Sequence, residues 1–173
     1  NAVPTWNGDV AALVDWIHDM ETLATISEQM SRKLAAIAPQ RFRGRVRDWW
    51  SLLPPEHRRS LMQDWHTLRA AIISHFVTTR FHQELIDTYD RQRFRQKGHE
   101  KESPSDFVYR RLRHFRTLYE EGAAETKEIR AVMRNAPAMW STILSPDSLT
   151  TIAGLLQQVN EKTPELVQVA GLL

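Results

Sequence analysis

Residues 102–118, ESPSDFVYRRLRHFRTL, open on a helix start that elementary chemistry reads directly. Ser103 is a good N-cap, because its hydroxyl accepts a hydrogen bond from an otherwise orphaned amide of the first turn. Pro104 takes the first helical position, where its missing N–H costs nothing. Asp106 puts a carboxylate three residues after the cap, near the positive end of the helix dipole. From there Phe107, Val108, Arg111, Leu112, Phe115 and Leu118 recur at spacings of three and four, which is one face of a helix.

The same helical period runs through the rest of the chain. Its 173 residues include only six glycines, prolines fall between periodic segments, and no sustained alternation of period two appears. Trp6-Asn7-Gly8-Asp9 is a turn with Asp9 as N-cap, followed by an apolar stripe of Val10, Leu13, Val14, Ile17 and Met20. Ser27 or Ser31 starts the next helix, which Ala38-Pro39 ends. In residues 40–53, QRFRGRVRDWWSLL, a helical projection puts Phe42, Val46, Trp49 and Leu53 on one face with Arg43 and Arg47 away from it. Gly44 then falls in mid-helix at a cost of up to ~1 kcal/mol, which points to a close backbone approach. Pro54-Pro55 stops that helix, and a following helix carries Leu61, Trp65, Leu68, Ile72 and Phe76 on one stripe.

Beyond the β-branched stretch 76–81, where a domain boundary is placed after residue 79, Phe81, Leu85, Ile86 and Tyr89 begin a second half. Residues 92–101 are polar and end in a Gly98-His99 turn. Glu120-Glu121-Gly122 reads as the end of the 102–118 helix. Ile129, Val132 and Met133 mark another helix, stopped near Asn135-Ala136-Pro137. Pro146-Asp147-Ser148 starts one through Leu149, Ile152, Leu155, Leu156 and Val159, and Thr163-Pro164-Glu165 caps a last short one. The expectation is an all-α chain of about nine helices.

Composition narrows the classes. The chain has no cysteine, which excludes disulfides and cysteine–zinc sites and suits a reducing compartment. No apolar run approaches the roughly 18 residues of a membrane span, and no signal-peptide pattern is present. Net charge is only +2. Residues 80–116 carry ten basic and six acidic groups and residues 117–173 carry four and seven, so the middle is basic and the end acidic. Such charges ordinarily solvate helix faces; head-to-tail attraction between copies is the sharper reading.

Two groups of residues carry a resemblance. Glu102, Asp106-Phe107-Val108 and Arg110, in the order E-x-x-x-D-F-V-x-R, resemble the major homology region of retroviral and retrotransposon capsid proteins, with the segment at about residues 96–118. Phe42, Gly44, Trp49 and Trp50, followed by Trp65, Leu68 and Phe76, resemble the capsid region of Gag polyproteins from gypsy-type retrotransposons. Together the motifs span roughly residues 6–120. The resemblance implies a two-lobed helical capsid fold, with an N-terminal lobe at 1–79 and a C-terminal lobe at 80–173. It implies a network of Gln96, Gly98, Glu102, Asp106, Phe107 and Arg110 tying a turn to a helix. Gln96 and Gly98 lie further upstream of Glu102 than the family pattern has them, which requires an insertion. Phe42, Trp49, Trp50, Trp65, Leu68 and Phe76 are then the core of the first lobe.

The implied function is self-association. In that family the first lobe makes rings, the second dimerises, and the product is a virus-like particle in the cytoplasm that encloses RNA. The family's dedicated RNA-binding segment is not among these residues, which leaves weak, salt-sensitive contact by Arg91, Arg93 and Arg95. Two alternatives stay open: a domesticated Gag of the Arc type that binds partner peptides in its first lobe, and a helical nucleic-acid-binding domain. Catalysis is not expected. No phosphate loop, G-x-S-x-G, H-E-x-x-H or D-[ST]-G signature occurs, and Asp147-Ser148 is followed by Leu149. The seven histidines, at 18, 57, 66, 75, 82, 99 and 114, show no metal-ligand spacing and read as surface or helix-face residues. No cofactor is expected.

Overall fold

A computed structural model describes residues 3–119 and 123–171. The Glu120-Glu121-Gly122 helix end lies outside the described residues. The described chain is all-helical and divides into two compact units, Asn1–His82 and Gln83–Leu173. Among the described residues no helix is long and apolar enough to cross a membrane.

In the first unit a 3-10 turn, Val10–Ala12, leads into α1 (Leu13–Ala24). The Asp9 carboxylate accepts the Ala11 amide at 3.0 Å and caps that turn. Next come α2 (Glu28–Ile37), a second 3-10 turn (Ala38–Arg41), α3 (Gly44–Leu52), α4 (Pro55–Leu61) and α5 (Trp65–Phe76). Of the two serines at the start of α2, Ser27 is the cap, accepting the Met30 amide at 3.0 Å. Ser31 is buried instead, and its hydroxyl accepts the Trp65 amide at 3.1 Å. The core is formed by Leu13, Ile17 and Met20 of α1, Leu34 of α2, and Trp65, Leu68 and Ile72 of α5.

Two sequence expectations fail here. No helix covers residues 40–53: Phe42 is extended, α3 begins at Gly44, and Gly44 has φ +55°. The reason lies in the N-terminal segment, where Trp6 pairs with Phe42 in a parallel bridge. The Arg43 amide donates to the Trp6 carbonyl at 2.8 Å and the Arg45 amide to the Asn7 carbonyl at 3.2 Å. Gly44 does admit a close backbone approach, since a Cβ there would lie 2.8 Å from the Asn7 oxygen. The stripe from Leu61 to Phe76 is not one helix either. Met62 ends α4, and the Asp64 carboxylate caps α5, accepting the Thr67 amide at 2.8 Å.

α6 (Thr79–Arg91) follows a short break in which the Thr78 hydroxyl accepts the Phe81 amide at 3.1 Å. The second unit continues with α7 (Pro104–Leu118), α8 (Glu125–Arg134), α9 (Trp140–Leu144), a 3-10 turn (Pro146–Ser148), α10 (Ile152–Glu161) and α11 (Thr163–Val169). The described residues thus hold eleven α-helices, against about nine expected. The additions are the split at Met62 and the five-residue α9. Pro146 does not start α10; Thr151 does, its hydroxyl accepting the Gly154 amide at 3.0 Å. The core gathers Phe107 and Val108 of α7, Ile129 and Val132 of α8, Trp140 and Leu155. Trp140 is fully buried with its indole N–H donated to the Leu166 carbonyl at 3.0 Å, so its one polar atom is satisfied.

Candidate functional site

α7 starts as its sequence dictates. The Ser103 hydroxyl accepts the Asp106 amide at 3.1 Å and the Asp106 carboxylate accepts the Ser103 amide at 3.2 Å, a reciprocal capping box. Upstream, residues 92–103 descend through successive turns, with amide donation from Gln96 to Arg93 O, His99 to Gln96 O and Glu102 to His99 O. These turns deliver Glu102 to a buried position beside α7.

There Glu102 meets Arg110 in a forked pair. Arg110 Nη2 donates to Oε1 at 3.0 Å and Nε to Oε2 at 3.2 Å. Such a fork is stronger and more directional than a neutral hydrogen bond. Oε1 also accepts the Arg95 amide at 2.7 Å, and the Arg95 guanidinium donates to the Glu102 carbonyl at 3.0 Å. Arg95 has φ +57°, a left-handed conformation that a non-glycine residue adopts only when surrounding bonds hold it. Arg110 reaches back as well, to the Arg93 carbonyl at 3.0 Å and the Gln96 side-chain oxygen at 3.5 Å. Its guanidinium lies 5.5 Å over the Phe107 ring. Of the residues singled out for this network, Gln96, Glu102 and Arg110 come together, Asp106 caps the helix, and Phe107 sits in the core. Gly98 stands apart: its amide donates to the Glu100 carboxylate at 3.0 Å, and a Cβ there would meet nothing.

A second cluster, on the other side of α7's sequence, was not visible as a site. Arg111 is 1 % exposed. It donates to the Tyr89 carbonyl, to Gln92 Oε1 at 3.2 Å and to the Ala131 carbonyl at 2.7 Å, and lies 3.7 Å over the Tyr89 ring. Tyr89 and Ala131 belong to the last turns of α6 and α8, where carbonyls are electron-rich, so a cation suits both. Burial pushes the Arg111 pKa down to about 10, which leaves it charged at neutral pH. His114 is buried too, so of the surface and helix-face readings only the second holds for it. Its Nδ1 lies 3.2 Å from Gln92 Nε2 and its Nε2 lies 2.9 Å from the Leu85 carbonyl. Arg116 then pairs with Glu128 of α8 at 2.7 and 3.1 Å. The sequence signal was an arginine at an apolar-stripe position, since such a residue must bring its partners with it.

In the first unit the singled-out aromatics form one cluster. Trp65, Leu68, Phe42 and Phe76 are buried, whereas Trp49 and Trp50 are only partly so. Trp6 stacks on Trp16 at 4.9 Å and meets Phe76 edge-on at 5.3 Å. Trp49 stacks on His75 at 5.2 Å, and Trp50 meets Phe42 at 5.8 Å. The Trp65 indole donates to Glu21 Oε1 at 3.0 Å, the same oxygen that Arg69 Nε approaches at 2.8 Å. Arg91, Arg93 and Arg95 are exposed, each with its guanidinium bonded to a nearby carbonyl.

Among the described residues no group of three or more His, Asp or Glu side chains is placed to hold a metal ion. What the arrangement does chemically is hold: Glu102 and Glu128 are each matched by an arginine, and the turn is fastened to α7. No protein-family model, curated protein or solved structure matches the chain.

Proposed function

We propose that the chain is a Gag-type capsid domain whose work is self-association and not chemistry. In this reading the two units are the N- and C-terminal capsid lobes, and many copies close into a shell around RNA. The observation that supports it most is the Glu102–Arg110 fork between a multiple turn and a capped helix, at the spacing of the motif that residues 102–110 resemble. The buried carboxylates of Glu102 and Glu128 are each paired with an arginine, which favours a structural role over a catalytic one. Assembly by many small contacts would add through multivalency. Light scattering across protein concentration and salt, followed by negative-stain electron microscopy, tests it. Concentration-dependent growth into rings or shells is the expected result; a strict monomer under every condition removes the assembly function.

A second reading, an interaction module of the Arc type, draws on a specific feature of the first unit. Trp6 and Asn7 pair with residues 42–45 through the Phe42 bridge and the Arg43 and Arg45 amides, and Arg41 Nε donates to the Val3 carbonyl at 3.1 Å. Backbone that pairs with a segment of its own chain in this way suits an extended peptide of similar apolar character. Peptide binding without particles would favour this reading.

A further inference from the structure

The hydrogen-bond roles around His114 are forced by partners that can act in only one direction. Arg111 carries donors alone, so the Gln92 atom that faces it is the oxygen. The Gln92 NH2 group therefore faces His114 Nδ1, which must accept. On the other side of the ring the Leu85 carbonyl can only accept, so Nε2 must carry the proton. The ring is neutral, in a single tautomer, and its protonated form would set Nδ1–H against an N–H that cannot turn away without abandoning Arg111.

We propose that Gln92 and His114 form a pH-sensitive latch: neutral His114 holds the end of α6 and the following turns on α7, and a proton on His114 releases them. Two charges on α7 reinforce the bond geometry. α7 itself contributes Arg111 and Arg110, both of which oppose a second positive charge. α6 contributes the Tyr89 ring, 5.6 Å away, and Asp90, whose charge acts on Arg111. α8 contributes Glu128, which is held by Arg116, and Arg134, which acts on Tyr89. Burial, then the two arginines, lower the His114 pKa below its ordinary 6.5, against the Leu85 carbonyl that raises it.

The sign follows from which state binds the proton more readily. The unfolded chain protonates His114 near 6.5 and the folded chain only further down, so the unfolded state gains protons first as pH falls. The stabilisation is complete above 6.5 and is lost progressively below it. Release has a route to the neighbouring fork, because Gln92 is followed by Arg93, whose carbonyl accepts Arg110 Nη2. The latch does not depend on whether the chain assembles.

Chemical unfolding of the full chain between pH 7.5 and 5, with histidine NMR titration of the folded protein, tests it. The wild type should show an unfolding equilibrium constant that rises by up to about tenfold per pH unit below 6.5 from this one group. His114→Gln should flatten that dependence. Gln92→Glu gives Nδ1–H a carboxylate partner while still accepting from Arg111, and should restore stability in acid. The NMR signature is a neutral Nε2–H ring that persists below pH 6.5, followed by shifts in the amides of residues 85–103. Parallel acid loss in wild type and His114→Gln overturns the latch. So does titration of His114 at 6.5 with those amides unmoved. If His114→Gln does not fold, the wild-type titration and Gln92→Glu decide alone.

Discussion

Arg110 is the residue on which the second unit's turns converge, since its one guanidinium touches Glu102, Gln96 and the Arg93 carbonyl. Arg110→Ala leaves Glu102 buried without its counter-charge, which typically costs on the order of 3–5 kcal/mol. Thermal unfolding should show the loss, and Arg110→Lys should recover only part of it because an ammonium cannot fork. A variant that melts like wild type would show that the Glu102–Arg110 pair does not hold the turns on α7. At this scale the sequence was partly legible. The Ser103, Pro104 and Asp106 cap follows from local chemistry, whereas the Glu102–Arg110 pairing comes from resemblance, because spacing across a turn predicts no contact. The place of Arg111 on the apolar stripe hinted that it is buried, but the cluster it forms with His114 was not legible. Apart from the Gln92 side chain, their partners are carbonyls of Leu85, Tyr89 and Ala131, which carry no sequence signal.

Between α4 and α5 the apolar stripe passes from Leu61 to Trp65 without a gap, yet the helix stops. Periodicity records which face a residue occupies and is blind to a break that preserves the face. What decides is Asp64, which prefers to bond the Thr67 amide and hydroxyl, at 2.8 and 2.9 Å, rather than continue the helix. The Thr67 amide holds the Asp64 carboxyl below its ordinary 3.8. Asp64→Ala should cost about 1 kcal/mol by loss of the cap, seen in denaturant midpoints, while Asp64→Asn or Asp64→Ser should lose much less. An equal loss in all three would place the effect outside capping. Gly44 illustrates the same limit. Its need for a close approach was legible, but its place at a helix start depends on Asn7, far upstream.

At the scale of the molecule, two units of modest size each close around buried tryptophan: Trp65 and Trp6 in one, Trp140 in the other. That the described chain is all-helical could be read from its period; that the described residues hold eleven α-helices could not, because α9 is too short to show a period and the α4–α5 break preserves the stripe. On the capsid reading the exposed arginines at 91 and 93 belong to this scale too, since any hold on RNA would be one of summed charge. A double Arg91→Ala, Arg93→Ala variant should bind RNA more weakly at every sequence, with a salt slope shallower by roughly 0.7 per lost phosphate contact, and assemble as before. Filter binding against salt measures it, and an unchanged slope would show that RNA is not held there.

The pairing of Trp6 with Phe42 and Phe76 also fixes an order of events during synthesis. Trp6 leaves the ribosome long before the aromatic rings that cover it. At ~5–20 residues per second, the interval from residue 6 to residue 76 lasts roughly 4–14 s. Until it ends Trp6 has Trp16 and then Phe42 for company but lacks its contact with Phe76, and that face stays within reach of a chaperone or of the same segment on a neighbouring ribosome.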